Sequence, residues 1–145
     1  MDRSLVDILT CPACQDDLNF ESSKFYCPVC SRTFGLNGGI PEFFVPTVMG
    51  NNREDVLTEV KKFYEKTPFP NYSEFYDVGT LIDKARKSIF MKSLSDEIPF
   101  GAKILEAGCG TGQLSNYLSV GHGMVVGTDI SMNSLALAQE FKEKL

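Results

Sequence analysis

The chain has 145 residues, 43% of them hydrophobic and 23% charged, a balance that supports one ordinary domain or two small ones and excludes general disorder. Its apolar runs are only a few residues long, which excludes a transmembrane helix, and Met1 to Thr10 carries two acids and no apolar core of a secretory signal. A formal charge of −5, spread as 3 basic against 6 acidic residues in 1–50, 8 against 9 in 51–100 and 3 against 4 in 101–145, excludes a basic arm for broad nucleic-acid binding.

Chain order divides the sequence into residues 1–45, 46–100 and 101–145. The first region holds Cys11-Pro12-Ala13-Cys14 and Cys27-Pro28-Val29-Cys30, two C-x-x-C pairs separated by twelve residues. Two residues inside each pair let both sulfurs face one point, and Leu18-Asn19-Phe20 and Phe25-Tyr26 are the natural strands of a hairpin that brings the pairs together. About 45 residues cannot bury enough apolar surface to offset chain entropy, and a structural metal worth roughly 10–16 kcal/mol meets that deficit. Four thiols without a signal peptide point to a zinc ribbon in a reducing, cytoplasmic compartment, with Cys11, Cys14, Cys27 and Cys30 as ligands. Iron in a rubredoxin-like site uses the same ligands, although nothing else in the chain suggests electron transfer. A closed set of four thiolates is structural and not catalytic.

LVDILTCPAC, YCPVC and the turn GGIPEFF (Gly38 to Phe44) together resemble the small zinc-ribbon proteins that activate methyltransferases as partner subunits. That resemblance covers residues 4–45 and implies a ribbon serving a methyltransferase.

The middle region reads as a helical linker with a proline-aromatic interruption. Arg53 to Lys66 places Val56, Leu57, Val60, Phe63 and Tyr64 on one helical stripe, with Asn52 as N-cap. TPFPNY (Thr67 to Tyr72) is held extended by two prolines. A second helix is expected from Thr80, with Thr80 and Asp83 as a capping box, burying Leu81, Ile82, Ala85, Ile89 and Leu94 and stopping before Pro99.

The last region reads strand, glycine loop, helix, strand, helix. Lys103 to Ala107 runs into Gly108-Cys109-Gly110-Thr111-Gly112 and a helix with Leu114 and Leu118; Met124 to Asp129 is a second strand ending in an acid, 21 residues after Gly108. Glycines permit the sharp strand-to-helix turn and close approach of a ligand, and a carboxylate at that distance grips ribose hydroxyls in dinucleotide-type folds. Ser131 is the expected N-cap of a final helix with Leu137, Ala138, Phe141 and Leu145 inside. The fold class is therefore α/β: a small zinc ribbon, a helical linker, and the first βαβα portion of a Rossmann-like sheet. The spacing G-x-G-x-G differs from the G-x-G-x-x-G of a nicotinamide site, which argues against an NAD-dependent oxidoreductase.

The string ILEAGCGTG closely resembles the first motif of class I S-adenosylmethionine-dependent methyltransferases, and GTDIS resembles their second. A carboxylate beside the loop suits a zwitterion next to a sulfonium and would repel a pyrophosphate. The resemblance implies that Gly108, Gly110 and Gly112 admit the cofactor, that Glu106 attracts the methionyl ammonium through water, that Asp129 holds the ribose hydroxyls, and that Ile130 packs against adenine. Cys109 reads as a small buried filler and His122 as a loop residue. TPFPNY is similar to the linker before the methyltransferase domain in bacterial proteins that combine one with a zinc ribbon; Phe69, Tyr72, Phe75 and Tyr76 would form a lid on the cofactor site or pack the linker onto the domain. Lys84 or Arg86 would meet the methionyl carboxylate or simply face solvent.

Such methyltransferases resemble one another in a seven-stranded sheet, so the sequence reads as the front portion of a longer enzyme. By itself it is expected to transfer no methyl group, to bind S-adenosylmethionine very weakly and to self-associate through the edge of its half-sheet. No catalytic residue is assigned, because an in-line methyl shift is aided by positioning alone. The methyl acceptor is open among small metabolite, lipid, protein and RNA, with no membrane partner. The rival reading is a non-enzymatic adaptor that binds another methyltransferase or ribosomal RNA.

Overall fold

A computed structural model describes residues 3–45, 50–70 and 77–145. The chain divides into two compact units, residues 1–55 and 56–145. Content is mixed: short antiparallel strands surround the cysteines, and helices with a parallel strand pair follow.

In the first unit α1 (Arg3–Val6) precedes β1 (Asn19–Glu21), β2 (Lys24–Tyr26) and β3 (Thr33–Phe34), an antiparallel sheet in the order β1-β2-β3. The hairpin falls where the sequence places it, with Phe20 opposite Phe25, and gains a third strand of only two residues. A second hairpin, β4 (Leu36–Asn37) with β5 (Ile40–Pro41), turns at Gly38 and Gly39, whose φ angles of 56° and 84° suit glycine at both turn positions. The turn sends Phe43 back onto the core, with ring centroids 5.1 Å from Phe25 and 5.3 Å from Phe34. Cys11, Leu18, Phe25, Cys27 and Phe34 form that core, so two of the sulfurs are part of the apolar interior.

Helix α2 (Gly50–Lys66) begins two residues before Asn52, which therefore lies inside the helix and does not cap it. The apolar stripe is present but stays exposed: Val56, Leu57, Val60, Phe63 and Tyr64 are all among the exposed hydrophobic residues. Two helices replace the single one expected after Thr80, α3 (Val78–Lys87) and α4 (Ile89–Glu97). Asp77, not Thr80, is the N-cap; its Oδ1 accepts from the Thr80 backbone N–H at 2.7 Å and from Thr80 Oγ1 at 2.8 Å. Ser88, with extended backbone, ends α3 and caps α4 by accepting from the Met91 N–H. Rotation at that break leaves Ile89 exposed, whereas Leu81 and Ala85 are buried as their spacing predicts.

Strand β6 (Lys103–Ala107), helix α5 (Gln113–Gly121), strand β7 (Met124–Thr128) and helix α6 (Met132–Lys142) follow in the expected order. β6 and β7 are parallel, Lys103 opposite Met124 and Ala107 opposite Thr128, so the ends of both strands reach the same rim. Phe141 packs with Leu81 and Tyr117 in the core of this unit. Leu145 lies beyond α6 and is exposed, because the helix stops at Lys142 before a further apolar position can turn inward. Among the described residues no helix is long and apolar enough to cross a membrane.

Candidate functional site

The two cysteine pairs are built as matching turns. The Cys11 N–H donates to the Asp16 carbonyl at 2.7 Å and the Cys27 N–H to the Arg32 carbonyl at 2.9 Å; the Gln15 and Ser31 N–H groups donate back to the Cys11 and Cys27 carbonyls. Gln15 and Ser31 both have positive φ, 66° and 58°, which curls the backbone behind each pair and turns its sulfurs to one side. The four sulfurs lie within 4.8 Å of one another, with Cys11–Cys30 at 3.6 Å and Cys14–Cys27 at 3.4 Å. A tetrahedral zinc with Zn–S bonds of ~2.3 Å sets its sulfurs roughly 3.8 Å apart, so the cluster has the dimensions of a metal cradle.

Crowding divides the protons unevenly. Burial opposes ionisation of Cys11, but backbone N–H groups of Ala13 and Cys14 and the neighbouring thiols outweigh it and bring its pKa down to about 7. For Cys14 the Asp16 N–H favours the thiolate, yet Cys27, burial and the other two thiols prevail and push it up to about 12. One thiolate thus suppresses the next, and a cation among them relieves the repulsion.

In the second unit the glycine loop is pinned from β7. The Gly108 and Cys109 N–H groups both donate to the Thr128 carbonyl, at 2.8 and 2.9 Å. Asp129 then closes the loop: its Oδ2 accepts from the Gly110 N–H and its Oδ1 from the Ser131 N–H, each at 2.8 Å. Gly110 (φ 54°) cannot be replaced cheaply, because a Cβ there would strike the Phe69 carbonyl oxygen. Thr111 Oγ1 donates to the Pro70 carbonyl, so Phe69 and Pro70 lie directly against the loop.

A cleft of about 620 Å³ opens at this rim, lined by Tyr64, Phe69, Gly108, Gly110, Thr128, Asp129, Ile130 and Ser134. Gly108, Gly110, Asp129 and Ile130 come together there as the sequence suggests. Gly112 is instead the left-handed N-cap of α5, its hydrogens facing Ala138, and it leaves that helix end without a side-chain cap. The Glu106 carboxylate accepts from Ser115 Oγ beside the loop. Phe69 is the one aromatic of the proposed lid that can be placed; Tyr72, Phe75 and Tyr76 fall outside the described residues. Arg86 is exposed on α3.

Cys109 is buried under the loop, and burial, together with the charges of Glu106 and Asp129, pushes its thiol up to about 12. A thiol held neutral in this way is no nucleophile. His122 ends α5, its Nε2 sharing a hydrogen bond of 3.3 Å with Ser95 Oγ. The sequence gives no site role to Tyr64, Thr128 or Ser134: Thr128 is legible only as the neighbour of Asp129, and Tyr64 only as a member of the apolar stripe on α2.

Comparison with family models gives two matches. Residues 104–145 match a methyltransferase domain, and residues 2–39 match the Trm112p-like protein family. Comparison with curated proteins finds no match. One polypeptide thus carries a Trm112p-like segment, which contains all four clustered cysteines, and a methyltransferase-domain segment built on the glycine loop and Asp129.

Proposed function

We propose that residues 101–145 form the methionine- and ribose-binding part of an S-adenosylmethionine site in a Rossmann-like methyltransferase domain, and that residues 1–45 fold around a structural zinc. The observation that carries the first part is the cleft over the glycine loop. A Cβ added at Gly108 would meet nothing within 4 Å, so the backbone there is open to a close ligand, and Asp129 stands beside it, fixed by two N–H groups. Each Asp129 oxygen uses one lone pair on the backbone and keeps another for a ribose hydroxyl. Donor chemistry supports the second part: four thiolates in a closed set suit zinc, and reduced thiols suit a cytoplasmic protein.

When bound, the cofactor supplies an electrophilic methyl group on a sulfonium. The chain's own residues bind and orient. Glu106, held by Ser115, presents negative charge toward the methionyl ammonium through water; Asp129 takes the ribose; Ile130 offers an apolar face to adenine; Phe69 and Tyr64 wall the cleft from solvent. Methyl transfer needs no covalent or proton-shuttling residue, only alignment. The methyl acceptor is a small molecule, a lipid, a protein or RNA.

The test is a titration of the isotope-labelled chain with S-adenosylmethionine. With contacts to methionine and ribose and a single apolar face for adenine, binding in the millimolar range, about 4 kcal/mol, is expected, with shifts confined to the loop and residues 128–134. If no loop amide responds, the reading fails. The Trm112p-like match over residues 2–39 then favours the adaptor, a ribbon that binds another methyltransferase or ribosomal RNA.

A further inference from the structure

Helices α5 and α6 both begin at the rim of the cleft, but their first turns are treated in opposite ways. α5 starts at a glycine that supplies no side-chain cap. The first three N–H groups of α6 are all taken by protein. Met132 N–H donates to Glu65 Oε1 at 2.9 Å, Asn133 N–H to Glu65 Oε2 at 3.0 Å, and Ser134 N–H to Ser131 Oγ at 3.1 Å. Glu65 lies 67 residues away in sequence, at the end of α2. Its backbone carbonyl also accepts from Asn133 Nδ2 at 2.7 Å, and the Tyr64 carbonyl accepts from Ser131 Oγ at 3.2 Å. Ser131 is completely buried beneath these contacts.

A carboxylate spanning two N–H groups of a helix N-terminus is the arrangement in which such ends hold free anions. Here the anion belongs to the chain, so the first turn of α6 is already occupied, whereas α5 begins at Gly112 without a side-chain cap and has Glu106 beside it through Ser115. The same bond fixes a wall. Tyr64 precedes Glu65 and lines the cleft; five residues after Tyr64, Phe69 lines it too, where its carbonyl rests on Gly110 and that of Pro70 receives Thr111. The segment 64–70 is therefore fastened at both ends, to α6 by Glu65 and to the glycine loop by Phe69 and Pro70.

We infer that Glu65 is a positioning residue for the cofactor cleft: by clamping the end of α2 to the first turn of α6, it holds Tyr64 and Phe69 as a wall of the cleft that Asp129 also lines. This inference rests on the S-adenosylmethionine reading of the cleft. Glu65→Gln keeps the size of the side chain but turns an amide N–H₂ toward one of the two helix N–H groups.

The experiment measures amide hydrogen exchange at Met132 and Asn133, S-adenosylmethionine affinity by nuclear magnetic resonance, and the melting temperature of the 145-residue chain, for wild type, Glu65→Gln and Tyr64→Ala. In Glu65→Gln, faster exchange at one of the two amides and about fivefold weaker binding are expected, equivalent to the loss of roughly one hydrogen bond. Tyr64→Ala should weaken binding while leaving both amides protected. If Glu65→Gln frees an amide and lowers the melting temperature but leaves affinity unchanged, the clamp is structural only and the inference is overturned. Unchanged exchange overturns it as well. Should Glu65→Gln not fold, Asn133→Ala removes only the bond from Nδ2 to the Glu65 carbonyl and must show the same weakening on a smaller scale, or the inference falls. A wild-type chain that ignores the cofactor defeats the functional reading and this inference with it, while exchange still reports whether the clamp forms.

Discussion

Asp129 and Gly110 are joined by a hydrogen bond of 2.8 Å from the glycine N–H to the carboxylate Oδ2, so the residue proposed to hold the ribose also sets the curvature of the loop that faces it. Removing that carboxylate should act twice. Asp129→Ala is expected to abolish detectable S-adenosylmethionine binding and to expose the Gly110 and Ser131 amides to exchange, since hydrogen bonds to a charged group are worth about 1.5–3 kcal/mol each. Asp129→Asn, which keeps one oxygen acceptor, should retain partial protection of the loop. Protected amides in Asp129→Ala would contradict the double role.

The ribbon should depend on its metal. Cys14→Ser removes one of four ligands, and residues 1–45 should lose dispersed amide signals while the signals of β6, α5, β7 and α6 persist, because the two units have separate cores. Elemental analysis should give one metal ion per wild-type chain and less in the variant. A metal-free ribbon with native signals would refute the structural role.

Gly127 faces crowded space from β7. A Cβ there would come within 2.9 Å of Cys109 Sγ and 3.0 Å of Ser115 Oγ, so Gly127→Ala should destabilise the second unit by about 1–3 kcal/mol. Adding Cys109→Ala removes the nearest atom and should recover part of the loss. Denaturant melts of the two single variants and the double variant measure the coupling between the sites, and additivity would show that the contact does not matter.

Alkali should weaken the second unit through Cys109. Its folded pKa, about 12, lies above the ordinary value of 9.0, so the folded chain keeps a proton that the unfolded chain gives up. The associated stability is complete below pH 9 and is lost as pH rises toward 12. Cys109→Ser, which does not titrate there, should show a flatter decline between pH 9 and 11 than wild type. Parallel curves in the two proteins would argue against the shift.

Features with a local cause were legible in the sequence. Cysteine spacing located the ribbon, the glycine cluster located the strand-to-helix turn, and Ser131 was found as the cap of α6 from its place before an apolar run. What escaped reading has a non-local or a backbone cause. Nothing near Glu65 announces a cap for a helix 67 residues away, and the carbonyls of Phe69 and Pro70 that meet the loop are the same in every residue type. The break at Ser88 was hidden because KARKSIF continues an apolar spacing straight through it, and only the extended backbone of Ser88 ends one helix and starts the next. The stripe on α2 was read correctly as a pattern, but a pattern marks a face without naming what covers it.

Of the five cysteines Cys14 alone is exposed; Cys30 is half-buried, and Cys11, Cys27 and Cys109 are buried. Cys14 stands at the surface of the ribbon, whereas Cys109 is covered by the loop. Peroxide therefore reaches the metal cradle first. Its early product is expected to be a ribbon with one oxidised thiol, while the loop beside Asp129 still holds its shape, so damage to the cysteine cluster should precede damage to the glycine loop.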